Sequence, residues 1–202
     1  MGHGEPRLVT DEAGEQLAGF RSTSRGATAR FAAAQAAIIR SLVGQIAELV
    51  GGDVAAGEGL DPGPLSPDDL VAQLGLGWSA EPPDDPVLAR LLPDGYRDDP
   101  EASGEFRRYT EQDLRSGKVA AARTVLATLP PAGGRVRLSE PEAQAWLRAL
   151  NDVRLALSVR LGVTEEFDEE VAEIAADDPR SAYVWVYQWL AYLQDSLIDA
   201  LS

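Results

Sequence analysis

Apolar residues recur at helical spacing through most of this chain. Phe31, Ile38, Ile39, Leu42, Ile46 and Leu49 fall on one stripe and predict a helix over residues 27–50, stopped by Gly51-Gly52. Val119, Ala122, Val125, Leu126 and Leu129 form a second stripe. Trp146, Leu147, Leu150, Val153, Leu157 and Leu161 form a third. Val186, Leu190, Leu193, Leu197 and Leu201 form the last, in a helix that runs to the C-terminus.

The polar residues between these stripes mark where helices begin and end. Asp85-Pro86, Asp99-Pro100-Glu101 and Asp178-Pro179 each pair a capping acid with a proline suited to the first helical turn. Ser139 with Glu142 is a capping-box pattern, and Gly162 closes the helix it opens. Thr164 with Glu165 and Glu166 opens a further helix, over residues 164–176. The stripe changes phase at Gly117, so a kink or break is expected inside the helix over residues 99–129. Short strands are expected at residues 6–9 and 17–22 around the turn Asp11-Glu12-Ala13-Gly14, with a third at Arg135-Val136-Arg137-Leu138. Residues 51–84 are loop-rich, with one short helix opened by Ser66-Pro67. The expectation is a single helical domain over residues 1–202. Its class is mainly α: a bundle of five to seven helices with at most a small N-terminal hairpin or three-stranded sheet.

Composition removes several kinds of chemistry. The chain has no cysteine, so disulfides, thiolate metal sites and thiol catalysis are excluded. Its single histidine, His3, stands in the Met-Gly-His-Gly start, which leaves no basis for a histidine triad or zinc site. Met1 is the only methionine. No apolar run reaches the roughly 20 residues of a spanning helix, and the first residues lack a signal-peptide core. A cytoplasmic protein without membrane contact is expected. No cofactor or metal is expected either. The acidic run from Asp168 to Asp178 lacks calcium-loop spacing, and no phosphate loop, dinucleotide fingerprint or nucleophile elbow is present.

The net charge of −15 is unevenly spread. Residues 1–89 carry 5 basic and 13 acidic groups, residues 90–160 carry 12 and 10, and residues 161–202 carry 1 and 10. Such a chain is repelled by phosphate backbones, so any DNA contact would come from the arginines of the middle third. The cluster Arg107, Arg108, Arg115, Lys118 and Arg123 is interleaved with Glu105, Glu111 and Asp113. No three-to-four-residue turn joins two short helices there as a helix-turn-helix reader needs, so the pattern suits a salt-bridged surface helix instead.

Two further groups stand out. In the helix after Ser139, Arg154 lies in the middle of the apolar face and Asn151 at its edge, so both are expected as buried polar residues. Arg154 then needs either a carboxylate from another helix (Asp94, Glu105 or Asp195) or an anionic ligand. In the last helix, Trp185, Trp189 and Tyr192 lie off the main stripe, so the apolar arc is wider than one face. Either neighbours bury it on several sides, or the aromatics dock a partner or a second copy.

The strings Arg90-Leu91-Leu92-Pro93-Asp94-Gly95-Tyr96-Arg97 and Leu150-Asn151-Asp152-Val153-Arg154-Leu155, with Tyr187-Gln188-Trp189-Leu190, resemble the actinomycete oxidative stress regulator family, long catalogued as a domain of unknown function. The resemblance covers most of the chain and is weakest over residues 51–84. It implies a regulator that works with a stress sigma factor on cysteine-biosynthesis genes, and in which cysteine redox changes control partner binding. This chain departs from that picture, because it has no cysteine to oxidise.

The expected function is therefore non-enzymatic regulation by protein–protein contact, with a sigma factor or the transcription machinery as partner. Arg97, Arg107, Arg108, Trp185, Trp189 and Tyr192 are the expected contacts, and a homodimer through the aromatic helix stands as one reading beside burial of that helix by its neighbours. Two alternatives stand beside it. One is a dimeric DNA-binding regulator using the arginines of residues 90–160, and the other is an enzyme built on Arg154 and a carboxylate.

Overall fold

A computed structural model describes residues 18–51, 85–93, 100–164, 167, 178 and 180–202, with residues 100–112 described as helical backbone only. The expected strand at 6–9 with its turn, the short helix after Ser66, Arg97 and, apart from Thr164 and Phe167, the helix over 164–176 lie outside the described residues.

The described elements are β1 (Arg21–Thr23), β2 (Gly26–Phe31), α1 (Ala33–Gly51), α2 (Pro86–Leu91), α3 (Pro100–Thr128), β3 (Gly134–Leu138), α4 (Glu140–Leu161) and α5 (Ser181–Leu201). The class is mainly α, with one small antiparallel sheet in the order β1-β2-β3. Helix α4 is central, packing against α1, α2, α3 and α5. Its Ala143, Trp146, Ala149, Leu150, Val153 and Leu157 are all buried. Helix α1 is the one described helix long and apolar enough to cross a membrane, and here it is a core helix of the bundle.

The helix expected from residue 27 begins at Ala33 instead. Residues 26–31 are a strand, with Ala27, Ala29 and Phe31 buried and Arg30 exposed. Small alanines hide the two-residue period, and the strand is decided by its antiparallel pairing to β1 and β3. The hairpin turn is correspondingly Ser24-Arg25. The true helix start has a local signal: Gln35 Oε1 accepts from the Ala32 backbone N–H at 3.0 Å, the reach-back half of a capping box. Helix α3 runs through Gly117 as one continuous helix, without the expected break. Glycine lowers helix propensity by about 1 kcal/mol but keeps its N–H, so the hydrogen-bond ladder can continue.

Other end signals act as their residue types require. Asp85 Oδ1 accepts from Val87 N at 2.8 Å, with Pro86 opening α2. The Glu142 carboxylate accepts from the Ser139 backbone N–H at 2.8 Å and from its hydroxyl at 2.7 Å. These two hydrogen bonds, the hydroxyl's first, hold the Glu142 carboxyl below its usual range. Gly162 takes the left-handed conformation, φ 65°, that ends α4. Gly133, φ 72°, is obligatory for a different reason: a Cβ there would stand 2.7 Å from the Phe31 carbonyl oxygen.

The sheet closes one end of the bundle through aromatic packing. Phe20, Phe31 and Trp146 meet in pairs with centroids 5.4 to 5.9 Å apart. Trp146 Nε1 donates to Thr128 Oγ1 at 2.8 Å, so the buried indole is satisfied. Helices α1 and α3 run antiparallel and cap each other. Arg40 donates to the carbonyls of Leu126 and Leu129 at 2.6 and 2.8 Å. Arg115 donates to that of Val50 at 2.6 Å. Each guanidinium thus neutralises the partially negative C-terminal end of its neighbour.

Candidate functional site

Of the expected contact residues, Trp185, Trp189 and Tyr192 have described side chains, while Arg97 lies outside the described residues. Arg107 and Arg108 lie in the N-terminal half of α3, where only the backbone is described. Trp189 is buried at 1% exposure, which corrects its reading as a contact residue. Its place on α5 turns it into the core together with Leu190 and Leu193. Trp185 is half-buried and stacks on Trp189, centroids 5.5 Å apart and planes at 23°. Tyr192 is half-buried as well, its hydroxyl packed against Gly19. The wide aromatic arc of α5 is therefore mostly packing, with Trp185 and Tyr192 at its rim.

Arg154 is half-buried, and among the described residues no carboxylate pairs with it. It donates from Nη1 to Gln194 Oε1 at 2.7 Å and lies over the Tyr187 ring, 5.3 Å from the centroid. Gln194 Nε2 in turn donates to the Leu147 carbonyl at 3.3 Å. Phe167 sets its edge against the other ring partner, Tyr187, at 5.6 Å. Asp195, one residue on, turns about 100° away around the helix and is exposed. The Arg154–carboxylate constellation of the enzymatic alternative is thus not formed among the described residues. Arg154 Nε is buried and makes no hydrogen bond.

Asn151 is exposed, not buried. The buried polar residue of that stretch is its neighbour Asp152, only 4% exposed. One step of 100° separates the two, and α3 covers the second but not the first. Asp152 Oδ1 accepts from Lys118 Nζ at 2.6 Å. Burial raises the carboxyl's pKa, and the Lys118 hydrogen bond and charge pull against that rise. This pair was missed in the sequence, although one cue was present: Lys118 is the only lysine among arginines. The pair forms the floor of an open groove of about 540 Å³ between α3 and α4, lined also by Asp113, Leu114, Arg148 and Asn151. Leu114 is 42% exposed at its rim.

The basic cluster of α3 is therefore partly committed inside the protein. Lys118 holds Asp152 and Arg115 caps α1, while Arg123 is exposed. Among the described residues no group of three or more His, Cys, Asp or Glu side chains is placed to hold a metal ion.

Comparison with known proteins places the chain. The family described as a domain of unknown function, DUF2017, matches residues 17–201. The proteins named oxidative stress regulator AosR in Mycobacterium bovis and Mycobacterium tuberculosis are each 35% identical to it over 182 residues, 83% of this chain and 78% of theirs. No solved structure matches the chain. With the match running from the first described residues to the end of α5, the chain belongs to the DUF2017 family and is a relative of the mycobacterial oxidative stress regulators.

Proposed function

We propose that this protein is a non-enzymatic regulator of the oxidative stress response that acts by binding another protein, a stress sigma factor being the favoured partner. The observation that carries the reading is the 35% identity to proteins named oxidative stress regulator, sustained over 83% of the chain. The acidic character of the chain suits a basic partner, because complementary charge speeds encounter and suppresses wrong pairings. Arg97, Arg107 and Arg108, with the rim aromatics Trp185 and Tyr192, supply the contacts, and the same rim is the surface through which a homodimer would form. The redox step resides outside this chain: without cysteine it forms no disulfide, and its only sulfur is at Met1.

The test is equilibrium binding of the purified protein to the stress sigma factors of its host, with and without prior peroxide treatment of this protein alone. Tight binding to one factor, unchanged by that treatment, is expected. Absence of binding to every factor would overturn the partner assignment. Binding that changes when only this chain is oxidised would overturn the placement of the redox step.

A further inference from the structure

The outer face of the sheet is built from arginine. Ala27, Ala29, Phe31, Val136 and Leu138 turn into the core, so the strand alternation sends Arg30, Arg135 and Arg137 to the other side, all exposed. The register sets Arg21 and Arg137 on either side of Thr28, and Arg30 directly opposite Arg135. Arg25 stands in the turn between β1 and β2 and is exposed. Residues 18–31 and 130–138 contain no acidic residue. Among the described residues, none of these five guanidinium groups has a hydrogen-bond or ion-pair partner.

Two physical points give this face a direction. Like charges directly opposite across strands destabilise a sheet, and Arg30 with Arg135 is such a pair. In a chain of net charge −15, acids to relieve it are abundant, yet none is placed in these strands. The second point is what the face lacks. Protein interfaces draw their affinity from buried apolar and aromatic anchors. Here the other side chain at the middle of the face is Thr28, whose hydroxyl is occupied by the Val136 carbonyl at 2.7 Å. A face with charge and no apolar anchor suits a partner held by charge alone, and arginine forks match phosphate oxygens.

We propose that the outer face of the β1-β2-β3 sheet binds the phosphate backbone of duplex DNA. Neither an aromatic nor an amide side chain stands among the outward residues of the strands, so the contact reads no bases and is independent of sequence. The negative remainder of the molecule repels the duplex elsewhere and leaves this face as the one that approaches it. Contact through the sheet differs from contact through α3, where Arg115 and Lys118 are occupied internally.

The test is fluorescence anisotropy of a labelled mixed-sequence 30-base-pair duplex, titrated with the full chain over a range of salt concentrations. Binding at low salt is expected, with log K falling against log salt at a slope of about −4 for five arginines engaging four to five phosphates. R135Q/R137Q is expected to weaken binding at least tenfold at low salt and to flatten the slope by about 1.8. R135K/R137K should keep the slope, and R123Q/R148Q, with the same charge change on exposed positions of α3 and α4, should leave both quantities nearly unchanged. The proposal is overturned if the wild type does not bind at low salt. It is also overturned if the two glutamine variants lose equally, or if poly-glutamate displaces the duplex at equal charge concentration. That last outcome would assign the face to an acidic protein partner. Each of these results is separable from the sigma-factor experiment, which contains no DNA.

Discussion

Lys118, the only lysine of the chain, closes the charge of the buried Asp152 carboxylate across the α3–α4 interface at 2.6 Å. The side chains retain 15% and 5% of their exposure, so both ions have been withdrawn from water. Removing one partner from such a pair strands the other, which costs about 3–5 kcal/mol. K118M is therefore expected to lower the free energy of unfolding by about 3 kcal/mol in urea melts, while K118M/D152L recovers most of the loss. Equal loss in the single and the double variant would show that the pair does not carry the effect.

The same carboxylate gives the protein a pH signature opposite in sign to that of an ordinary exposed acid pair. Burial raises the folded-state pKa of Asp152 above the ordinary aspartate range. The folded state then binds this proton more readily than the unfolded chain does. The contribution is fully present below the unfolded pKa and is lost as pH rises through the folded one. D152N removes the titration. The stability of wild type minus that of D152N is thus expected to grow as pH falls from 7 toward 4, read from urea melts at each pH. A difference that shrinks over that range would contradict the raised pKa.

How far these features could be read in the sequence depends on the reach of the forces that set them. Local chemistry was legible: Asp85-Pro86, Ser139 with Glu142, and Gly162 act where their residue types place them. Residues 27–31 were misread because Ala27 and Ala29 look alike to a helix and a strand, and the partner that decides is β3, more than a hundred residues on. Lys118–Asp152 and Arg154–Gln194 join residues 34 and 40 positions apart, and nothing local pairs them. The arginine face was visible only as single residues. It takes the register of three strands to align Arg21, Arg30, Arg135 and Arg137.

Arg154 behaves differently from Lys118 because its partners are neutral. Substituting methionine breaks one hydrogen bond to Gln194 and the contact with Tyr187, but strands no carboxylate and removes a buried Nε that has no acceptor. R154M is expected to cost about 2 kcal/mol, the summed scale of one hydrogen bond and one cation–π contact, and so less than K118M. A cost above that of K118M, measured under the same conditions, would mean that Arg154 is held by a charge.

The stacked pair on α5 separates packing from contact. Trp189 is buried and Trp185 is half-exposed at the rim. W189A empties a large core volume and is expected to cost about 3–5 kcal/mol. W185A is expected to leave a folded protein at a cost of about 1 kcal/mol, the loss of one aromatic pair. If α5 contributes to partner binding, W185A weakens that binding while its melting curve stays close to wild type. Equal destabilisation by the two variants would place Trp185 in the core with its neighbour.

Gly19 and Tyr192 offer a direct reading of how the N-terminal chain docks on α5. Phe20 N donates to Ser196 Oγ at 3.0 Å, which fixes the backbone beside the helix. A Cβ on Gly19 would then stand 2.7 Å from the Tyr192 hydroxyl oxygen and 3.1 Å from the ring carbons. G19A is expected to destabilise by about 1–2 kcal/mol through overpacking. Y192F deletes the atom in the closest contact and loses no protein hydrogen bond among the described residues, so alone it should be nearly neutral. In the double variant G19A/Y192F, part of the alanine penalty should return, giving a coupling energy of about 0.5–1 kcal/mol in a double-mutant cycle. Strict additivity of the two substitutions would mean that the ring swings clear of the new methyl group, and that the docking of residues 18–20 is set by the Ser196 hydrogen bond alone.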